Sequence, residues 1–122
     1  MMRYTVVSVL LSALLLAGCT GATFNGSRTG NNSQLVMEYS VFNTTDSQAL
    51  KLEQGDRLAV VIVHEHGTLS LSVAKEGEEP LYQNLDAKTC TFDLAIPESG
   101  TYWVTATGEQ AKGSLSVVRV VK

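Results

Sequence analysis

The chain has 122 residues, a formal charge of −3 and a hydrophobic fraction of 44%. That size admits one modest core and excludes a multidomain enzyme. Nine basic residues, scattered singly among twelve acidic ones, leave no basic run. This excludes a nucleic-acid surface and gives no pull toward anionic lipid headgroups.

Residues 4–17 form a mostly apolar stretch with Arg3 ahead of it. A short charged start, an apolar middle and small residues at the end make a secretory signal rather than a fold element. At about 14 residues the stretch is short of the ~20 that a bilayer-spanning helix needs. The run Leu16-Ala17-Gly18-Cys19 closes it and resembles the lipobox of small bacterial lipoproteins. That resemblance implies cleavage before Cys19, a diacylglyceryl or acyl anchor on the Cys19 thiol, and a domain held outside the cytoplasm at the cell membrane. Cleavage removes 18 of the 122 residues, Arg3 among them, and leaves 104 with a charge of −4. With Cys19 acylated, Cys90 has no disulfide partner in the chain, so stability must come from packing alone. The expected division is 1–18 signal peptide, 19–34 lipidated cysteine and flexible tether, and 35–122 folded domain.

The tether assignment rests on composition. Gly, Ser, Thr and Asn dominate residues 20–34, and only Phe24 could enter a core. Such a segment buries too little apolar area to offset its ordering entropy.

From Leu35 onward the hydrophobic period is two. Leu35, Met37, Tyr39 and Val41 alternate with Glu38 and Ser40, and Leu69, Leu71 and Val73 with Ser70 and Ser72. Cys90, Phe92, Leu94 and Ile96 follow the same rule, as do Tyr102, Val104 and Ala106. This is the half-buried strand pattern. Residues 58–63 are apolar throughout, which predicts a central strand covered on both faces. Turn residues punctuate the pattern at Gln54-Gly55-Asp56, Gly67, 76–80, 97–100 and Gly108. The reading is an all-β, single antiparallel β-sandwich of seven or eight strands. Its strands run over 35–43, 48–53, 57–66, 68–75, 80–85, 89–96, 101–107 and 113–121.

Within it, Ser99-Gly100-Thr101-Tyr102-Trp103-Val104 resembles the corner of immunoglobulin-like domains, where a Tyr folds back to hydrogen-bond the chain upstream. That family's disulfide cysteine would fall at Val104, so the bridge is absent. Similar Pro-x-x-Gly-x-Tyr corners occur in jelly rolls, and both topologies stay open. Residues 39–121 also resemble small lipoproteins of Gram-positive gut bacteria, through Phe42, the turn Leu52-Glu53-Gln54-Gly55-Asp56 and the Pro97…Gly100…Tyr102 corner. That resemblance brings no activity with it.

Two constellations could carry function. Trp103 is in phase with Thr101, Thr105 and Thr107 and so lies on a polar sheet face. An outward Trp among hydroxyls suits stacking on a sugar ring, with Tyr82 a candidate helper; it also suits a protein interface. The bland alternative is an indole covered by a loop or by the tether. His64 and His66 in one strand would share a face and could offer two ligands to zinc or copper, the third coming from a neighbouring strand. The bland alternative is a pair of solvent-facing rings at a strand end.

Cys90 shares the apolar phase and is expected to be an inert, buried thiol. Glu76, Glu78 and Glu79 fit a solvated hairpin tip better than a calcium loop. No catalytic triad, phosphate-cradling loop or metal knuckle is readable. The chain is therefore read as a monomeric, cofactor-free, non-enzymatic binding or structural module. Its partners are a membrane through Cys19 and a glycan or protein. Mass spectrometry of native material should find acylated Cys19 as the first residue; an intact Met1 would overturn the anchor.

Overall fold

The computed structural model describes residues 22–122, so the signal segment and Cys19 lie outside the described residues. Seven antiparallel strands form one hydrogen-bonded sheet: β1 (Thr23–Asn31), β2 (Gln34–Asn43), β3 (Thr45–Leu52), β4 (Arg57–Lys75), β5 (Pro80–Asn84), β6 (Cys90–Ala95) and β7 (Gly100–Val120). The sheet order is β1-β2-β7-β4-β5, with β3 also on β7 and β6 also on β4. The first part of β7 pairs with β3, and its second part pairs with β2. Likewise β4 takes β6 along Arg57–Ile62 and β5 along Leu71–Ala74. One half is therefore β3-β7-β4-β5 and the other β1-β2-β7-β4-β6. Their inward residues form a single buried cluster, with Leu50, Tyr102, Val104 and Leu71 from one half and Leu35, Met37, Ile62 and Leu115 from the other. The all-β antiparallel sandwich is borne out, as a sheet folded onto itself.

The fold line is written in the side-chain phase. In β4 the buried residues are Leu58, Val60 and Ile62, then Leu69, Leu71 and Val73. In β7 they are Tyr102, Val104 and Ala106, then Ala111, Leu115 and Val117. Alternation cannot change parity without an inserted residue. The β4–β7 ladder supplies one in each strand, with shifts between His64 and His66 and between His66 and Thr68. The two insertions compensate, so Arg57 faces Val120 at one end and Lys75 faces Tyr102 at the other. β2 switches from Tyr39 to Phe42 in the same way, and the β1 ladder shifts beside Gly26. The bulges thus line up across four strands and form a crease.

Two glycines let the backbones meet there. Gly67 has φ +77°, and a Cβ on it would strike the Gln110 backbone. Gly113 has φ +148°, and a Cβ on it would strike the Val63 carbonyl oxygen. Gln110 itself adopts φ 52°, with its N–H donating to Asn43 Oδ1 at 3.0 Å. The break expected at Gly67 is therefore a bulge inside a continuous strand, and Gly108 pairs regularly with Leu69 just ahead of the β7 bulge, which merges four expected strands into two.

Two other expectations are corrected. Residues 23–31, expected as a flexible tether, form β1. Its backbone is satisfied by β2, and Asn31 Oδ1 caps the turn by accepting from Ser33 N–H at 2.8 Å. Phe24 packs edge-on against Phe42, centroids 5.7 Å apart. Arg28 clasps the opposite edge: Nε donates to Asp46 Oδ2 at 2.7 Å, and Nη2 to Ser47 O and Gln48 Oε1. The strand 58–63 is central but covered on one face only, with Val61 and Val63 about 40% exposed. A two-layer sandwich has no third layer to cover them.

The turn after β3 is held by Asp56, a carboxylate only 1% exposed. It accepts from Glu53 N–H at 2.9 Å and from Arg119 Nε at 2.6 Å. Across from it, Tyr102 Oη donates to Glu98 O at 2.6 Å, the fold-back expected from the corner motif. The Glu53 N–H, and then Arg119, hold the Asp56 carboxyl below its ordinary value of 3.8 against the opposing effect of burial. A depressed carboxyl contributes stability that is present above its unfolded value and lost as pH falls through the folded one. Asp56→Asn should therefore lower the urea midpoint at pH 7, and the gap from wild type should close below about pH 3.8; a constant gap down to pH 2 would refute this. Gly113→Val should destabilise the fold by about 2–4 kcal/mol through clash and strain, read as a shifted urea midpoint.

Candidate functional site

The outer face of the β3-β7-β4-β5 half carries the most distinctive surface. Along β7, Tyr102 and Val104 point inward, so Thr101, Trp103, Thr105 and Thr107 point out. The register then dictates their neighbours. Trp103 lies between Ala49 of β3 and Ala74 of β4. Thr105 lies between Ser47 and Ser72, and Ser72 is followed by Gln83 of β5. Thr107 lies between Thr45 and Ser70.

Trp103 is 40% exposed, and no loop covers it. Alanines on both sides leave the indole standing above its row. Its Nε1–H donates to Glu76 Oε1 at 3.1 Å, and the Glu76 N–H is fixed on Thr101 O at 2.8 Å. A ring tethered at its polar edge keeps its apolar faces presented with little rotamer entropy left to lose. Beside it lies a shallow depression of about 210 Å³. Ser70, Ser72, Gln83, Leu85, Thr105 and Thr107 line it. Some of the hydroxyls on this face bond one another: Thr45 with Thr107 at 2.9 Å, and Ser47 with Thr105 at 3.1 Å. On this face Lys51 stands opposite Thr101 near Trp103, and Glu109 follows Thr107 at the other end; Lys75, on the inward phase, pairs with Glu98 at 3.2 Å and Glu78 at 3.6 Å. The hydrogen bond that Lys75 donates to the Glu98 carboxylate holds its ammonium above its ordinary value.

Tyr82 does not join this face. It pairs with Val73, on the inward phase, and stacks on Phe92 with centroids 4.9 Å apart. It packs against the core on the far side of the layer from Trp103. The period-two rule places it there, because Val73 and Ala74 face opposite ways.

His64 and His66 fall in the crease. The bulge between them breaks the two-residue repeat that was to put both rings on one face. His64 is half-buried, with Nδ1 unbonded and its main chain bonded to Thr89 Oγ1 at 2.9 Å; His66 is exposed. Among the described residues no group of three His, Cys, Asp or Glu could hold a metal ion, so the third ligand does not appear. Cys90 is a free, half-buried thiol opposite Ile62. Glu78 and Glu79 form an exposed hairpin tip, whereas Glu76 is recruited by the indole.

A larger groove of about 600 Å³ crosses the crease on the other half, with Glu38, Glu65 and Lys112 among its lining residues. Beneath it Tyr39 is buried and its hydroxyl is unbonded, which pushes its pKa up to about 12. Sequence reasoning singled out Trp103 but missed its supports. Ala49, Ala74, Ser72 and Gln83 become neighbours only through cross-strand register, which alternation within one strand does not reveal.

No protein-family model and no curated protein matches this chain. Solved structures resemble it distantly. PliG of Aeromonas hydrophila, a periplasmic inhibitor of g-type lysozyme, is 18% identical over 83% of this chain and 90% of its own, with a TM-score of 0.45. TmCBM61, solved with β-1,4-galactotriose, is 15% identical over 80% of this chain and 70% of its own, with a TM-score of 0.41. A cupin domain of Bordetella pertussis is 16% identical over 82% and 96%, with a TM-score of 0.38. At these values none of them bears on what this chain binds.

Proposed function

We propose that this chain is an exported, lipid-anchored, non-enzymatic binding module that holds glycans on its Trp103 face. The supporting observation is the uncovered indole between Ala49 and Ala74, pinned by Glu76 and bordered by hydroxyls. A sugar ring has an apolar face of C–H groups and an equatorial rim of hydroxyls. A fixed indole meets the first, and Ser, Thr and Gln side chains meet the second. The lipobox adds the location: an acyl chain on Cys19 would keep this face at the outer surface of a bacterial membrane.

The metal reading through His64 and His66 loses ground, because a bulge interrupts the two-residue repeat between them and no third ligand gathers there among the described residues.

Trp103 is the only tryptophan in the chain, which makes its fluorescence a direct reporter. The protein should co-sediment with at least one insoluble neutral polysaccharide, and soluble oligosaccharide should shift its emission. Trp103→Ala should weaken binding tenfold or more, about 1.4 kcal/mol, while Tyr82→Phe leaves binding unchanged. Equal binding by wild type and Trp103→Ala would count against the reading.

A further inference from the structure

The geometry points to an extended, uncharged binding cleft: the depression at Ser72, Gln83 and Thr105 is a second subsite that takes the hydroxyls of a neutral oligosaccharide running from Trp103 along β7. This rests on the reading of Trp103 as a sugar platform and adds the class of glycan and the direction it lies.

Three observations carry it. The first is alignment. Thr105 and Thr107 follow Trp103 on the same face, so the row from Trp103 to Thr107 spans about 14 Å at strand rise, the length of a short oligosaccharide rather than one ring. The depression opens along that row, bounded by β4 and β5.

The second is hydrogen-bonding capacity. Thr45, Thr107, Ser47, Thr105 and Ser70 already have side-chain hydrogen bonds within the chain, so Thr105 contributes to the floor of the depression. Ser72 and Gln83 have none among the described residues, and they are cross-strand partners. Together they offer a hydroxyl and an amide, able to donate and accept toward sugar hydroxyls. Leu85, 68% exposed, closes the far side with an apolar wall.

The third is charge. No Asp, Glu, Lys or Arg lines the depression. Around it, Glu76 is engaged by the indole, Asp86 beside Leu85 pairs with Lys88, and Lys51 stands past Trp103, opposite Thr101. A uronic acid or sulfated sugar would find no cation there to offset its lost hydration. Recognition by neutral hydrogen bonds and stacking also predicts weak dependence on ionic strength.

The test uses the folded chain with Cys19→Ser in place of the anchor. Emission of Trp103 is titrated with glucose, mannose and galactose, with neutral hexasaccharides of each, and with hexagalacturonate. At least one neutral hexasaccharide should bind tenfold or more tightly than its monosaccharide and than the acidic hexamer, with less than twofold change between 50 and 500 mM NaCl. Ser72→Asp, and separately Gln83→Ala, should bring the hexasaccharide down toward the monosaccharide affinity without changing the urea midpoint. If Trp103→Ala abolishes the sugar's protection of the fold from urea but the hexasaccharide binds wild type no better than the monosaccharide, or Ser72→Asp and Gln83→Ala have no effect, the second subsite is wrong and the platform stands. Tighter binding of the acidic hexamer overturns the neutral class. If no sugar in the panel shifts the emission and none protects the fold from urea, both the platform and the subsite fall.

Discussion

The crease is the constraint on which the rest of the structure depends. A strand that passes from one layer of a sandwich to the other must keep its apolar side chains inward in both. Period-two geometry forbids this unless a residue is inserted at the bend. Here β4 and β7 each insert one at the same place, so the ladder between them is in register on both sides. The cost is backbone crowding, relieved where Gly67 and Gly113 carry no Cβ and where Gln110 accepts a left-handed conformation. With the phase switched, Leu69, Leu71 and Val73 close onto the same core as Leu58, Val60 and Ile62. The opposite faces are then set free, and one of them carries Trp103.

The same constraint reorganises the chemistry. The two histidines, the most reactive-looking pair in the chain, are spent at the bend. The polar triplet His64-Glu65-His66 occupies positions that alternate with nothing, since they are neither core nor regular outer face. Under the proposed reading the functional weight shifts to the stretch of sheet from Thr107 to Trp103, where the β4–β7 ladder is regular and rows of side chains are predictable.

Much of this was legible in the chain of residues. Alternation in 35–39, 69–73, 90–96 and 102–106 correctly marks which residues face inward, whereas past Tyr39 the bulge buries Phe42 in place of the expected Val41, and the Tyr102 corner closes on Glu98 as its motif implies. Phe92, Leu94 and Cys90 also take the inward phase, though at an edge where they stay half-buried. Three things were not legible. A glycine inside a continuous strand and a glycine in a turn look alike in sequence, so Gly67 and Gly108 read as strand ends. The polar composition of β1 hides a strand whose stability comes from its ladder with β2 and from Arg28 rather than from apolar area. Finally, what flanks Trp103 is decided by pairing between distant segments: alanines 54 residues before it and 29 residues before it share its row. The solvent-facing side of 58–63 misleads for a related reason, since an all-apolar run cannot say how many layers exist to cover it.

Finding β1 where a free linker was expected shortens the leash. Under the proposed acylation at Cys19, only residues 20–22 separate the fatty anchor from the first paired residue, Thr23. Four peptide steps reach at most about 14 Å. A head so closely moored cannot wander through a thick wall or fish for distant polymers. Anchored in that way, it would lie against the headgroups, and whatever it gripped would have to come down to the bilayer to be held.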